Sequence, residues 1–207
     1  MSLSAFLVAA VLLAITPGPG IAYVVARTVA GGRVEGFASA IGTSLGGLVH
    51  VFAAAVGVSV ILAQSAVAFS VVKYLGAAYL VFLGLRLLFA GQRVSASATP
   101  AARGALRALA EGVLVEVFNV KTALFFLAFL PQFVTPDGAV AAQLVALGCI
   151  CVALNTGVDV FAVLSADRLV RSAPGRAVRA RVLNAVSGST LVGLGVYLAL
   201  TERVDAS

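Results

Sequence analysis

Charge is what this 207-residue chain has least of: Asp, Glu, Lys and Arg make up 11% of it, against 61% for the set AVILMFWYC. A water-soluble domain runs nearer to half apolar with about a quarter charged, and a chain this poor in charge could not cover its own core. The mean hydropathy of +1.11 agrees. Proline is also scarce, at 6 beside 21 Gly, which together with the apolar content excludes a Pro-rich, collagen-like or disordered chain. Tryptophan is absent and Met1 is the only methionine, so a Met-rich metal or peptide groove is excluded. Cys149 and Cys151 are two apart on an expected helix, where side chains diverge; they read as small packing residues and not as a disulfide. What remains is an all-α polytopic membrane protein.

A bilayer span needs about 20 apolar residues, because the hydrocarbon is about 30 Å thick and a helix rises 1.5 Å per residue. Six runs qualify: 3 to 26, 37 to 63, 67 to 90, 110 to 132, 140 to 166 and 182 to 201. The first lacks a positive leader and is too long for a cleaved signal peptide, so it is expected to stay in the chain. Net charge is +6, which in a soluble protein would suggest nucleic acid. Here the arginines sit between apolar runs, so orientation explains them better and no nucleic-acid partner is expected. Arg27 and Arg33 follow the first span, Arg86, Arg93, Arg103 and Arg107 surround the third connection, and Arg168, Arg171, Arg176, Arg179 and Arg181 fill the fifth. The positive-inside rule assigns that side to the cytoplasm, with both termini outside. The expected location is a bacterial inner membrane.

The segment 92–102, QRVSASATPAA, is a polar connector between halves of three spans each, about 1–91 and 103–201. Two repeats with an odd number of spans insert in opposite orientations, as in many secondary transporters. An offset of 102 residues brings Gly36 onto Gly138, Gly46 onto Gly148, Pro17 onto Asn119 and Pro19 onto Lys121. An offset of 111 brings YLVFLG at 79–84 onto TLVGLG at 190–195. Chance alignment of glycines is the competing explanation in so Gly-rich a chain.

Several residues could carry chemistry. Thr16, Pro17, Gly18, Pro19 and Gly20 lie inside the first apolar run; each Pro removes a backbone donor, so the helix should break there. In hydrocarbon the freed groups need protein or water as partners, which suits a binding site, although a plain kink is the bland alternative. The second interruption is Phe118, Asn119, Val120 and Lys121. An ammonium at the membrane centre costs roughly 3 kcal/mol or more unless it is paired or snorkels. Glu116 precedes it by five residues, and Asp159 lies mid-span four residues after Asn155, which could share its polar lining. Asp159 could instead pair with a lysine and only lock the bundle. His50 in the second span could relay protons or be a neutral core residue. Gly42 and Gly46 form a small-residue face for close helix contact, either internal or between subunits, so a homodimer is one expected assembly. Glu111 is expected to pair with Arg107 at the cytoplasmic interface. Lys73 is expected near the outer end of the third span, where it can snorkel.

At these residues the chain resembles the LysE/RhtB family of lysine, homoserine and threonine exporters. The resemblance covers PGPG at 17–20, GRVEGFASAIGTSLGGLVHVFAAAVG in the second span, KYLGAAYLVFLGLRLL in the third and NVKTALFFLAFLPQFV in the fourth. It implies a carrier of about six helices that exports amino acids or related metabolites, driven by protons or exchange, with no cofactor and no enzymatic activity. Two departures stand out. The family usually has Asn-Pro-Lys where this chain has Asn119, Val120 and Lys121, and usually Gly-Asp where it has Gly46 and Gly47. Glu116 stands where the family commonly has a neutral polar residue, and could replace the charge missing at Gly47.

The expected function is therefore amino-acid export, with Pro17, Gly18, Pro19, Gly20, Asn119, Lys121, Asn155 and Asp159 binding substrate and Asp159, Glu116 and His50 coupling protons. The expected partners are an amino acid, protons and the lipid bilayer. Two alternatives remain at this stage, a cation or heavy-metal exporter and an intramembrane enzyme. One His and two Cys make a soft-metal site poor, and no His-Glu-x-x-His is present.

Overall fold

A computed structural model describes residues 3–64, 66–89, 101–135, 139–171 and 176–200. Most of the expected connector, Gly138, and the side chains of the arginines from Arg168 to Arg181 lie outside the described residues. The described chain is helical, with no strand among the described residues. In order it comprises α1 (Leu3–Ile15), α2 (Pro19–Gln64), α3 (Ala66–Phe89), α4 (Ala105–Val117), α5 (Val120–Leu124), α6 (Val140–Arg171) and α7 (Arg176–Leu200). After α5 the chain continues through a π-helical turn, Phe125–Phe129, and a 3-10 turn, Leu130–Phe133.

Backbone chemistry sets the interruptions. α1 ends at Ile15 because Pro17 has no N–H to offer the Leu13 carbonyl and its ring crowds the preceding turn. α2 restarts with Pro19 in its first turn, where a missing donor costs nothing. α2 is itself broken at Gly31 (φ −120°, ψ 15°) and Gly32 (φ 71°, ψ −169°), and the second is a conformation that side chains rarely tolerate. Two arms result, 19–30 and 33–64. The sequence pattern places this break in the right connection but takes several helical residues on either side of it for loop. Stretches of α2 (Pro19–Gly57) and α6 (Val140–Ser165) are long and apolar enough to cross a bilayer. The pair Ala105–Val117 and Val120–Phe133, bent by 45°, makes a third if counted as one span.

The described surface is largely apolar, unlike that of a soluble protein, and several charges lie inside. Phe89, Leu75 and Phe161 are exposed, whereas Arg27, Glu35, Glu116 and Asp159 are buried. Lys73, expected to snorkel, is buried too, with its ammonium 5.3 Å from the centroid of the Tyr74 ring.

Glycine decides how closely the helices approach. A Cβ on Gly42 would strike the Leu109 carbonyl oxygen, one on Gly112 would lie 2.8 Å from the Ser39 oxygen, and one on Gly46 would lie 2.7 Å from the Val113 oxygen. The small-residue face of α2 is thus spent internally, against α4. α3 and α7 make a second such contact. A Cβ on Gly84 would meet the Gly188 oxygen at 2.6 Å and Val192 N at 2.8 Å; one on Gly195 would meet the Ala77 oxygen at 2.7 Å and Val81 N at 3.0 Å. These sets exchange under the 111-residue offset, Gly84 with Gly195, Ala77 with Gly188 and Val81 with Val192.

Gly42→Ala should force α2 and α4 apart and destabilise the protein by about 1–3 kcal/mol, the usual cost of overpacking. Gly57→Ala, where an added Cβ meets nothing within 4 Å, should not. Thermal unfolding in detergent compares the two; equal midpoints would refute the close-packing role.

Candidate functional site

The two helix breaks meet, and each supplies what the other lacks. At the first, Thr16 turns inward, donating its hydroxyl to the Leu12 carbonyl at 2.6 Å. The carbonyls left over at the end of α1 are capped from the other half of the chain: the Lys121 ammonium donates to the Thr16 oxygen at 2.8 Å and to the Leu13 oxygen at 3.2 Å. Gly18 makes room for it, since a Cβ there would lie 3.1 Å from Lys121 Cε and Nζ. A cation at a helix C-terminus also meets the negative end of the macrodipole.

At the second break, Asn119 caps α5 by accepting the Lys121 backbone N–H at 3.2 Å. Its amide donates to Glu116 Oε2 at 3.0 Å, and the Thr122 hydroxyl donates to Glu116 Oε1 at 2.6 Å. Glu116 is therefore buried with both oxygens bonded. Its carboxylate lies against the start of α2, where a Cβ on Gly20 would be 2.6 Å from Oε2. The first N–H groups of a helix have no partner within it, so this end favours negative charge. The main-chain oxygen of Glu116 accepts a hydrogen bond from His50 Nε2 at 2.8 Å, which fixes the proton of a neutral ring on that nitrogen.

Opposite these breaks stands Asp159 on α6. Its direct partner is the hydroxyl of Thr43, which donates to Oδ2 at 2.9 Å. One turn away, Ser44 and Thr156 share a hydrogen bond of 2.7 Å. Glu116 and Asp159 both attract Lys121 electrostatically. Apart from His50, Leu12 and Leu13, these groups line one cavity of about 30 Å³, room for a water or two. Apolar walls come from Ala14, Ile21, Phe126 and Val152.

Of the residues singled out in the sequence, Gly18, Gly20, Glu116, Asn119, Lys121, Asn155 and Asp159 line this cavity. Pro17 and Pro19 do not; they create the break. His50 stands behind the lining, bonded to the carbonyl of Glu116. Gly47, where the resemblance implies an Asp, faces the same cavity as Glu116. Thr16, at the head of the first interruption, lines the cavity too; Thr43, Ser44, Thr122 and Thr156 also line it and were missed, although Thr43 and Ser44 stand inside the small-residue face. The Glu111–Arg107 pair forms at 2.9 Å, and Arg103 joins it at 2.8 Å.

Comparison with known proteins is consistent across nearly the whole length. The family described as LysE type translocator matches residues 11–202. A protein of Klebsiella pneumoniae named leucine efflux protein is 33% identical over 205 residues, 96% of this chain and 92% of its own. A membrane protein of Vibrio cholerae, described as uncharacterized, is 29% identical, with 96% of each chain covered. The uncharacterized membrane protein YrhP of Bacillus subtilis is also 29% identical, with 97% of this chain and 99% of its own covered. No solved structure matches the chain.

Lys121→Met should strand the Thr16 carbonyl, leave the Leu13 carbonyl with only the Thr16 N–H at 3.2 Å, and lower stability by about 3 kcal/mol, since bonds from a charged donor contribute about 1.5–3 kcal/mol each. Lys121→Arg should lose less. Unfolding midpoints in detergent test this, and a Met variant as stable as the parent would sink the capping role.

Proposed function

The chain belongs to the LysE type translocator family, and on that premise we propose that it is a secondary exporter of amino acids or related small metabolites across the bacterial inner membrane, coupled to protons. The observation that carries this reading is the convergence of both helix breaks, one ammonium and two carboxylates on a single cavity. An amino acid carries one carboxylate and one ammonium. The N–H end of α2, with Lys121, is suited to the first; Asp159, with Glu116, is suited to the second. Glu116 also brings to the cavity a negative charge absent at Gly47.

Coupling follows if Asp159 holds either a proton or the substrate ammonium. The two exclude each other, so a proton arriving from outside releases substrate outward and leaves inward when the next substrate binds. His50, bonded to the main-chain oxygen of Glu116 behind the cavity, is the proposed carrier of protons to this region. The name of the Klebsiella relative makes leucine the first substrate to try, with threonine and lysine beside it.

In this reading the molecule has six spans in two inverted repeats: α1 with the 19–30 arm, the 33–64 arm, α3, then α4 through residue 133, α6 and α7. The support is twofold. Pro17 and Asn119, 102 residues apart, stand at corresponding breaks, and the Gly84 and Gly195 contacts exchange partners under one offset. The arginine-rich face is cytoplasmic, and both termini lie outside.

Proteoliposomes loaded with radiolabelled amino acids test the mechanism. The parent protein should release substrate faster when a pH gradient is imposed, and Asp159→Asn should lose that acceleration. Unchanged gradient dependence in the variant would refute the coupling role, and no efflux of any amino acid by the parent would refute the substrate class.

A further inference from the structure

The 19–30 arm of α2 is bounded by backbone breaks on both sides, at Thr16–Gly18 beside the cavity and at Gly31–Gly32 toward the arginines. It is tied to α4 by two successive rungs, and to the segment just before α4 and the second arm of α2 by a third. At the cavity, Glu116 lies against Gly20. Next, the Tyr23 hydroxyl reaches the Ala108 carbonyl at 3.0 Å and Glu111 Oε2 at 3.1 Å. Last, Arg27 donates to the Ala101 carbonyl at 3.0 Å and stands 3.6 Å from Glu35 Oε2. The other oxygen of Glu35 accepts the backbone N–H groups of Arg103 and Gly104, at 2.7 Å each, where α4 begins.

This last rung is buried but incompletely bonded. Among the described residues, Arg27 Nη1 and Glu35 Oε2 have no hydrogen-bond partner and share only the 3.6 Å ion pair. A buried pair with unmet hydrogen bonds recovers little of its desolvation cost, so water reaching it would stabilise the separated charges. Beside it is Gly32, and Gly104, whose φ is also positive, immediately precedes α4.

Among the described residues, the apolar packing on the two sides of the cavity is unequal. Val24, Ala40 and Val163 form a small cluster on one side. On the other is a much larger core that includes Leu13, Val51, Cys151 and the phenylalanines Phe125, Phe126 and Phe129. Chain order shows that the cavity lies between them. Along the first two elements Leu13 precedes Gly18 and Gly20, and Val24 follows; along the second arm Ala40 precedes Thr43 and Gly47, and Val51 follows. Along α6, Cys151 precedes Asn155 and Asp159, and Val163 follows.

We propose that the 19–30 arm is the gate between the cavity and the arginine-rich end, with Arg27 and Glu35 as its latch, so that the closed cavity opens first toward that end. The gate rests on the transport reading, but its position can be measured without any transport. In a chain freed of cysteine by Cys149→Ala and Cys151→Ala, Ser44→Cys places a reporter in the cavity. A membrane-impermeant maleimide is then applied to sealed vesicles of each orientation, with Arg33→Cys in a parallel sample marking the arginine-rich face. Glu35→Gln and Arg27→Gln should each raise reporter labelling several-fold from that face and leave labelling from the other face unchanged. Equal increases from both faces, or none, would overturn the gate, whatever efflux is measured. Should these variants fail to fold, Tyr23→Cys with Ala108→Cys, bridged by a short bifunctional thiol reagent, should block reporter labelling from the arginine-rich face when the bridge is formed first. Undiminished labelling of the bridged protein would overturn the proposal equally.

Discussion

A main-chain carbonyl inside a bilayer must be satisfied by the protein, and the hydrogen bonds from Lys121 to the Leu13 and Thr16 oxygens are the means by which this fold meets that demand. The break at Pro17 is stable because a cation from the other half of the chain closes it. In turn the cation is stable there because two carbonyls receive it and two carboxylates attract it. Remove the lysine and both the helix end and the carboxylates lose their counterpart. The cavity exists because these requirements are met at one depth, from opposite halves of the sequence.

Around that centre the structure divides its labour. α3 and α7 are locked by the reciprocal contacts of Gly84 and Gly195, with main chain against main chain. Such contacts leave little room for sliding. The 19–30 arm, by comparison, is short, interrupted at both ends, and bonded through Tyr23 to α4 and through Arg27 to the segment before it. A carrier needs a rigid frame and a part that can leave it, and the two are distinguishable here by what fills their interfaces.

Much of the site was legible in the sequence because proline and charge are conspicuous in an apolar run. Pro17, Asn119, Lys121, Glu116 and Asp159 each break a rule of the hydrocarbon interior, so each marks its own position. The hydroxyls that complete the site break no such rule. Thr43 and Ser44 fit a small-residue face as well as they fit a polar lining, and only the packing of α2 on α6 shows that Thr43 holds Asp159. Arg27 was legible as a positive charge between spans but not as a buried partner of Glu35, because their meeting depends on the fold-back at Gly31–Gly32. Lys73 was misjudged for a similar reason, since depth along a span does not reveal which side of a helix is covered.

The way Lys121 is bound has a consequence for how such a chain drifts over generations. A side chain that addresses main-chain oxygens is indifferent to the identity of the residues that carry them, so positions 13 and 16 can change without disturbing the bond while position 121 cannot. Methods that infer proximity from paired substitutions would see no correlated change between these positions, although they hold the two halves of the molecule together.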